Sequence, residues 1–524
     1  MTSATGAAER PAAATAWPIA ARRTLVGWLS VPRAPLYPPL VTIAFVLFDY
    51  SASNVLLEAL GRPLLVAVTI TILLQLVVGA LLRSRDAGAF VVLMLQLALL
   101  GLPVATLALG VWLIAGVAIA MYRRRGVKHL PWLRATRILN VVAILLLAQV
   151  MVTTSLGGGL AFGRSTWSIA RGTPAPEAPD VYLIMLDGYP RADTLQTRFD
   201  FDNTPFLSSM QSMGFDVATN SRSNYDATVL TLASMLNGEQ IPSLIPNPPD
   251  SRPEQFRDLT RLINQGMDLQ RFRQAGYEIV SVPSEYFEGT VVDADRNLDS
   301  GEMSSFEMQL LQTGYLRTAF GGLMKTALPE QHRQRTFHQL DALDALPAER
   351  GRGPKLVFAH LLVPHMPLSF NRDGSAAAGL SCFPMSCTLF TYGDSYREQT
   401  LQAMDDQVAW LNGRVEQVVH DIQAKSTRPP VIVIFSDHGT RFWPEDKAEM
   451  YRSLFLAATP GHPGLFPDDN TPVNVLTRLL NAYTGSSYPL ASEESYWLDT
   501  RQVDTKGLLG PPLLKIDAGD PPDA

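Results

Sequence analysis

The chain has 524 residues, a net charge of -6 and 47% hydrophobic content, with a pI near 5.8. That length exceeds one ordinary core and predicts two or more separately organised regions. The acidic balance, with no basic stripe in the second half, excludes a nucleic-acid binder. Two cysteines, Cys382 and Cys387, exclude a disulfide framework and a zinc knuckle, leaving one local disulfide or two free thiols.

The hydrophobic residues are unevenly spread. Residues 1–22, rich in Ala, Thr and Pro, read as a disordered cytoplasmic tail. Long apolar runs then fill residues 23–156, with candidate membrane spans at 36–50, 63–82, 87–101, 103–122 and 138–156. The first and third are short against the roughly 20 residues that cross hydrocarbon. Charge sets the count. Arg83 and Arg85 precede the stretch 87–122, and Arg123, Arg124, Arg125 and Lys128 follow it. Two helices there keep both clusters on the cytoplasmic side with Arg22, Arg23, Arg33, Arg134 and Arg137. Five spans result, so everything after residue 156 lies outside a cell membrane, in a periplasm or its equivalent. Spans without Asp, Glu or Lys, apart from Asp49 at the end of the first, argue against an ion path. Residues 157–179, with three successive glycines, read as a linker.

Residues 180–507 have the grammar of an α/β domain with a mostly parallel sheet. Three apolar runs end abruptly in polar residues: Val181 to Asp187-Gly188, Leu356 to His365, and Val431 to Ser436-Asp437-His438-Gly439. Between them lie helix-like stretches, notably 396–424, and a helix-strand unit at 267–282. Parallel sheets bind ligands beyond their strand C-termini, so this order brings Asp187, Asp437, His438 and His365 to one edge. Hard carboxylate oxygens with one imidazole suit a single divalent ion such as Mn, Zn or Mg. Thr228 follows an extended segment at 215–218 and a polar turn at 220–224, and opens a helical stretch. Its hydroxyl suits either a helix cap or a nucleophile, the second needing a base or a metal. Arg191 and Arg441 suit a phosphate clamp or structural ion pairs. His360 reads as a core histidine or one that supports the site, and His462 as a turn residue. The segment 285–345 matches no motif; its helical part, 324–346, reads as a cap over the site or a lipid-facing surface. The tail 508–524 reads as disordered.

Taken in order, Asp187-Gly188, Asn203-Thr204-Pro205, Thr228-x-x-Thr231 with Asn237-Gly238, and Ser436-Asp437-His438-Gly439 resemble the alkaline phosphatase/sulfatase superfamily. Ser221 to Tyr225, Phe358 to Pro367 and Thr471 to Asn474 extend the likeness to membrane-anchored bacterial sulfatase-like proteins, kin of lipoteichoic acid synthases and phosphoethanolamine transferases. The resemblance implies that Asp187, Asp437 and His438 hold the metal, with Thr228 as ligand and nucleophile and His365 beside the substrate phosphate or a second metal. It implies transfer of a phosphoglycerol or phosphoethanolamine group from a membrane lipid donor to an envelope glycan or lipid acceptor. Two departures bear on this. Threonine at 228 cannot become the formylglycine of true sulfatases, and Thr440 to Arg452 lacks the second histidine of the phosphoethanolamine transferases, which weakens the case for a second metal. A phosphodiesterase on the same residues, and a non-catalytic membrane-anchored binding protein, are the rival readings.

Overall fold

The computed structural model describes residues 34–53, 60–99, 132–156, 397–443, 446–497, 508–509 and 513–516. It also describes 171–377 apart from 285, 287–288, 292, 314–315 and 350–352. The expected cytoplasmic tail, the fourth span at 103–122 and both cysteines lie outside the described residues. The chain divides into two units, one within residues 1–152 and the other mainly 153–524.

Four helices are described in the N-terminal part: α1 (Tyr37–Ser53), α2 (Gly61–Leu81), α3 (Arg85–Leu99) and α4 (Trp132–Leu156). Among the described residues, Gly61–Leu81 and Ala135–Thr154 are long and apolar enough to cross a membrane. α1 and α3, with 17 and 15 residues, match the expected short runs. α2 and α3 form a tight hairpin turning at Arg83, which takes a φ of 51°. Gly88 allows the close approach, since a Cβ there would lie 2.4 Å from the Gly79 backbone. Polar side chains join the helices, a use that suits a solvent without water. Thr42 Oγ1 and Thr71 Oγ1 lie 2.8 Å apart, and Gln96 Nε2 donates to Thr42 at 2.6 Å. Asn140 of α4 accepts from the N–H groups of Leu36 and Tyr37 and so caps α1.

The larger unit is built on a seven-stranded sheet ordered β2-β7-β6-β1-β5-β3-β4. Its strands are β1 (Val181–Leu186), β2 (Asp216–Val217), β3 (Glu278–Val282), β4 (Arg296–Asn297), β5 (Lys355–Leu361), β6 (Val431–Phe435) and β7 (Phe455–Ala458). β1 lies in the centre, parallel to β5 on one side and β6 on the other. β3 and β4 continue the parallel order, and β7 and β2 close the other edge antiparallel. β1, β3, β5 and β6 are buried along their whole length, which is why β1 and β6 read as unbroken apolar runs.

Alternate residues serve the two faces. Tyr182, Ile184 and Leu186 face one core, covered by α12 (Leu316–Ala345) and α13 (Arg397–Lys425). Val181, Leu183 and Met185 face the other. Upstream of α12 the domain's helices are α5 (Ala192–Phe199), α6 (Thr204–Ser212), α7 (Thr228–Met235), α8 (Ile241–Leu244), α9 (Arg252–Asn264), α10 (Met267–Gln274) and α11 (Ser305–Gln312); α14 (Val475–Tyr483) follows α13. α7, α9, α10 and α14 cover the second face. All eight residues of α7 are buried. No strong amphipathic stripe marks it, because it has no solvent face.

Three expectations change. The described end of the expected linker, 171–179, is docked: Gly172 N–H bonds the Arg273 carbonyl at 3.0 Å, and Ala178 is buried in the second core. The tail expected to be disordered from 508 carries β9 (Leu514–Ile516), paired antiparallel with β8 (Ser495–Trp497). Leu509 is buried there, with its N–H on Gln255. Its leucines find apolar partners, which outweighs the local proline signal. The unassigned helix α12 sends Leu340 and Leu343 into the first core, so that part of it is a layer of the fold and not a cap.

Candidate active site

The ends of the two central strands converge. Asp187 follows β1 and Asp437 follows β6 by one intervening residue, and both side chains fall on the face that α7 covers. Asp187 is 1% exposed, Asp437 0% and His438 1%. Gly188 makes the turn after Asp187 with a φ of 67°, a conformation suited to glycine. Its N–H donates to Asp437 Oδ1 at 3.2 Å. A Cβ at Gly188 would meet the His365 ring at 3.3 Å and the His438 ring at 3.4 Å, so both imidazoles close over this turn.

The donor atoms divide into those held by protein and those left over. Asp187 Oδ2 meets His360 Nε2 at 2.9 Å, and Asp437 Oδ1 takes the Gly188 N–H. His438 Nδ1 donates to the Gly439 carbonyl at 2.7 Å, and His365 Nδ1 to the Met366 carbonyl at 2.8 Å. Asp187 Oδ1, Asp437 Oδ2 and His438 Nε2 remain, buried and with no hydrogen-bond partner in the protein. His438 Nε2 lies 3.4 Å from that Asp187 oxygen and 3.6 Å from that Asp437 oxygen. Two buried oxygens lying near one buried imidazole nitrogen, all three unpartnered, are costly without a cation beside them, and two oxygens with one imidazole nitrogen fit a divalent ion. The ligand atoms of Asp187, His365 and His438 all lie within 4.8 Å of one another, so His365 joins the same cluster.

Charge follows the geometry. Burial pushes the Asp187 carboxyl up, but the His365, His360 and His438 rings together hold it well below the usual carboxylate range. Burial lowers His365, with Asp187 opposing. For His438, burial and Arg441 push down while Asp437 and Asp187 outweigh them, leaving it above the ordinary imidazole value.

Thr228 is the first residue of α7 and is 7% exposed. The helix cap is Ala227, which offers no side-chain bond, so capping does not account for the threonine. The first helical bonds run from Leu230 and Thr231 to the Ala227 carbonyl, placing the N–H groups of Thr228 and Val229 before them. One turn on, Thr231 Oγ1 donates to the Asp437 carbonyl at 2.9 Å, tying the start of α7 to the end of β6. The loop feeding α7 is anchored by Asn224, whose amide bonds Thr471 Oγ1 at 3.0 Å and whose oxygen takes the Val473 N–H at 2.9 Å. This joins the Ser221–Tyr225 and Thr471–Asn474 motifs physically. Asn203, from another of the motifs, accepts from Tyr189 and Asn412 inside the domain.

A cleft opens beside the cluster, lined by Gly188, His365, Met404, His438, Arg441 and Phe442 among others. Arg441 also donates to the Asp226 backbone carbonyl. Asp226 itself is buried; burial pushes its carboxyl up, against Arg441 and His438. Nothing in the sequence singled it out. Arg191 does not line the cleft: it pairs with Asp193 at 2.6 Å and donates to the Ser221 carbonyl at 3.0 Å, the structural alternative. His462 sits in a turn against Tyr483. His360, read as core or supporting, contacts Asp187 directly.

No family model matches the chain, and no curated protein matches it. Solved structures do. The integral membrane lipooligosaccharide phosphoethanolamine transferase A of Neisseria meningitidis is similar at 11% identity, over 76% of this chain and 69% of that one, with a TM-score of 0.41. The C-terminal periplasmic domain of EcEptC from Escherichia coli is similar at 14% identity, over 60% and 84%, with a TM-score of 0.40. The phosphonate monoester hydrolase of Agrobacterium radiobacter is similar at 13% identity, over 61% and 80%, with a TM-score of 0.39.

Proposed function

We propose that the chain is a membrane-anchored, metal-dependent transferase. It moves a phospho-group, of phosphoglycerol or phosphoethanolamine type, from a membrane lipid donor to an envelope glycan or lipid acceptor. The observation that carries this reading is the trio of buried, unpartnered donors Asp187 Oδ1, Asp437 Oδ2 and His438 Nε2, on the sheet face covered by the helix that Thr228 opens. The ordered motifs resembling sulfatase-like proteins support it independently. The anchor of about five spans, with the domain on the outer side of a bacterial cell membrane, rests on the distribution of apolar runs and arginines.

In this reading Asp187, Asp437, His438 and the Thr228 hydroxyl hold one divalent ion, Mn, Zn or Mg. When bound, such an ion supplies positive charge that lowers the proton affinity of a hydroxyl and offsets charge on a phosphate. Thr228 Oγ1 attacks the phosphorus of the donor in line as the bond to the lipid's leaving oxygen breaks. The phospho-group becomes an ester of Thr228, and the leaving oxygen takes a proton. His365 is assigned the transfer: with its Nδ1 donating to the Met366 carbonyl, the Nε2 lone pair takes the proton that Thr228 Oγ1 gives up in the attack and passes it to the leaving oxygen. Arg441, in the cleft wall, faces the phosphate oxygens. An acceptor hydroxyl then attacks the phosphorus, frees Thr228 Oγ1, and returns its proton through His365.

The test is intact-mass analysis of the full chain in nanodiscs containing phosphatidylglycerol or phosphatidylethanolamine. The expected product is an adduct of one phospho-headgroup on Thr228, absent in Thr228→Ala, whose turnover falls by roughly 10³-fold or more. A Thr228→Ala protein that turns over the same phosphodiester at the wild-type rate sinks the mechanism.

A further inference from the structure

The parallel pairing of β1 with β5 sets Met185 opposite His360, which places the His360 side chain on the same sheet face as Asp187, just below it. His360 is wholly buried, and its two ring nitrogens are both engaged. Nε2 lies 2.9 Å from Asp187 Oδ2, and Nδ1 lies 3.1 Å from Ser284 Oγ. The proton positions follow from the partners. Ser284 Oγ accepts the Tyr286 N–H at 3.1 Å, so its own proton is available for His360 Nδ1. With Nδ1 accepting, Nε2 carries the ring proton and donates it to Asp187 Oδ2. The His360 backbone is fixed as well, its carbonyl taking Gln339 Nε2 at 2.6 Å.

We infer that His360 is a positioning residue for the ion site. Ser284 sets its tautomer, and its Nε2–H occupies one carboxylate oxygen of Asp187 so that the other, Oδ1, is presented alone to the ion. The inference rests on the reading of Asp187 as an ion ligand. A carboxylate with one oxygen already bonded binds through the other in a single rotamer. Partners of this kind typically change metal affinity by about 10–100-fold when removed.

The experiment titrates manganese(II) chloride into the metal-stripped full chain in detergent and reads free Mn²⁺ by electron paramagnetic resonance. His360→Ala is expected to bind about 10–100-fold more weakly. His360→Gln, which keeps an N–H donor near the position of Nε2, is expected to recover most of that loss. Ser284→Ala leaves the ring in place but frees its tautomer, and is expected to weaken binding by several-fold to about 10-fold; it carries the test if the alanine variant at 360 misfolds. Wild-type affinity in Ser284→Ala and His360→Ala, alongside lost binding in Asp187→Asn, overturns the positioning role and leaves the ion site standing. Wild-type affinity in Asp187→Asn overturns the ion site itself.

Discussion

Asn224→Ala tests whether the loop feeding α7 is held by one side chain. Asn224 is wholly buried and makes three bonds: to Thr471 Oγ1 at 3.0 Å, to the Glu494 carbonyl at 2.7 Å, and from the Val473 N–H at 2.9 Å. At a net of about 1 kcal/mol each, the three amount to about 3 kcal/mol. Thr471 keeps Glu493, and the Glu494 carbonyl keeps Gln240. The Val473 N–H alone loses its bond, and leaving it bare raises the cost towards about 5 kcal/mol. In urea unfolding followed by tryptophan fluorescence, with a slope of about 3 kcal/mol/M, the midpoint should fall by about 1 M or more at unchanged slope. Asn220→Ala is the control, since its bond to Asp468 is exposed and its loss should cost under about 0.5 kcal/mol. If the two variants shift the midpoint equally, the loop is not held as argued. Turnover should fall with Asn224→Ala and not with Asn220→Ala, because only the first loosens the entry to Thr228.

Gly188→Ala forces a side chain into a φ of 67° and against two imidazoles. It should cost about 1–2 kcal/mol in stability and weaken Mn²⁺ binding, both readable in one titration with melting curves. Manganese(II) at about a hundred times its dissociation constant should stabilise the chain by about 2.7 kcal/mol; Asp437→Asn should abolish that gain, measured as a melting shift with and without the ion. Asp405 gives a pH dependence away from the site. Burial, with Asp406 and Asp200 nearby and Arg372 opposing, pushes its carboxyl up to about 6. The folded state therefore binds this proton more tightly than the unfolded state, and stability contributed by Asp405 is lost as pH rises from about 4 through about 6. Asp405→Asn should stabilise the chain at pH 8 by about 1 kcal/mol after allowance for its half-exposure, read as a raised melting point, and change it little at pH 4.

The parts of the fold that carry local signals were legible in the sequence. β1, β5 and β6 are apolar runs followed by Asp, His or Ser because both their faces pack into the cores and the chain turns towards the site just beyond them. Thr228 was legible as a helix start because the polar turn before it and the apolar run after it are contiguous. What escaped depends on partners far away in the chain. The sequence leaves His360 between core and support, and only the register of β5 on β1 sets it against Asp187. Ser284 and Asp226 have ordinary local surroundings, and their roles exist only in three dimensions. Arg191 had an ion-pair partner two residues away, Asp193, and local geometry prevailed over the clamp. The 508–516 segment read as a polar, proline-bearing tail, yet a few leucines sufficed to dock it.

The hydrogen bond from Gly188 to Asp437 spans 249 positions of sequence, and with it the ion-site donors come from opposite ends of the domain. At roughly 5–20 residues per second of synthesis, an elongating chain carries Asp187 for roughly 10–50 seconds before Asp437 and His438 exist. During that interval it cannot assemble the cluster, whatever ions surround it. In the proposed reading metal capture is therefore a late event in the life of the chain, reserved for a sheet whose last central strand has been inserted, and a truncated product ending before β6 carries Thr228 without Asp437 and His438.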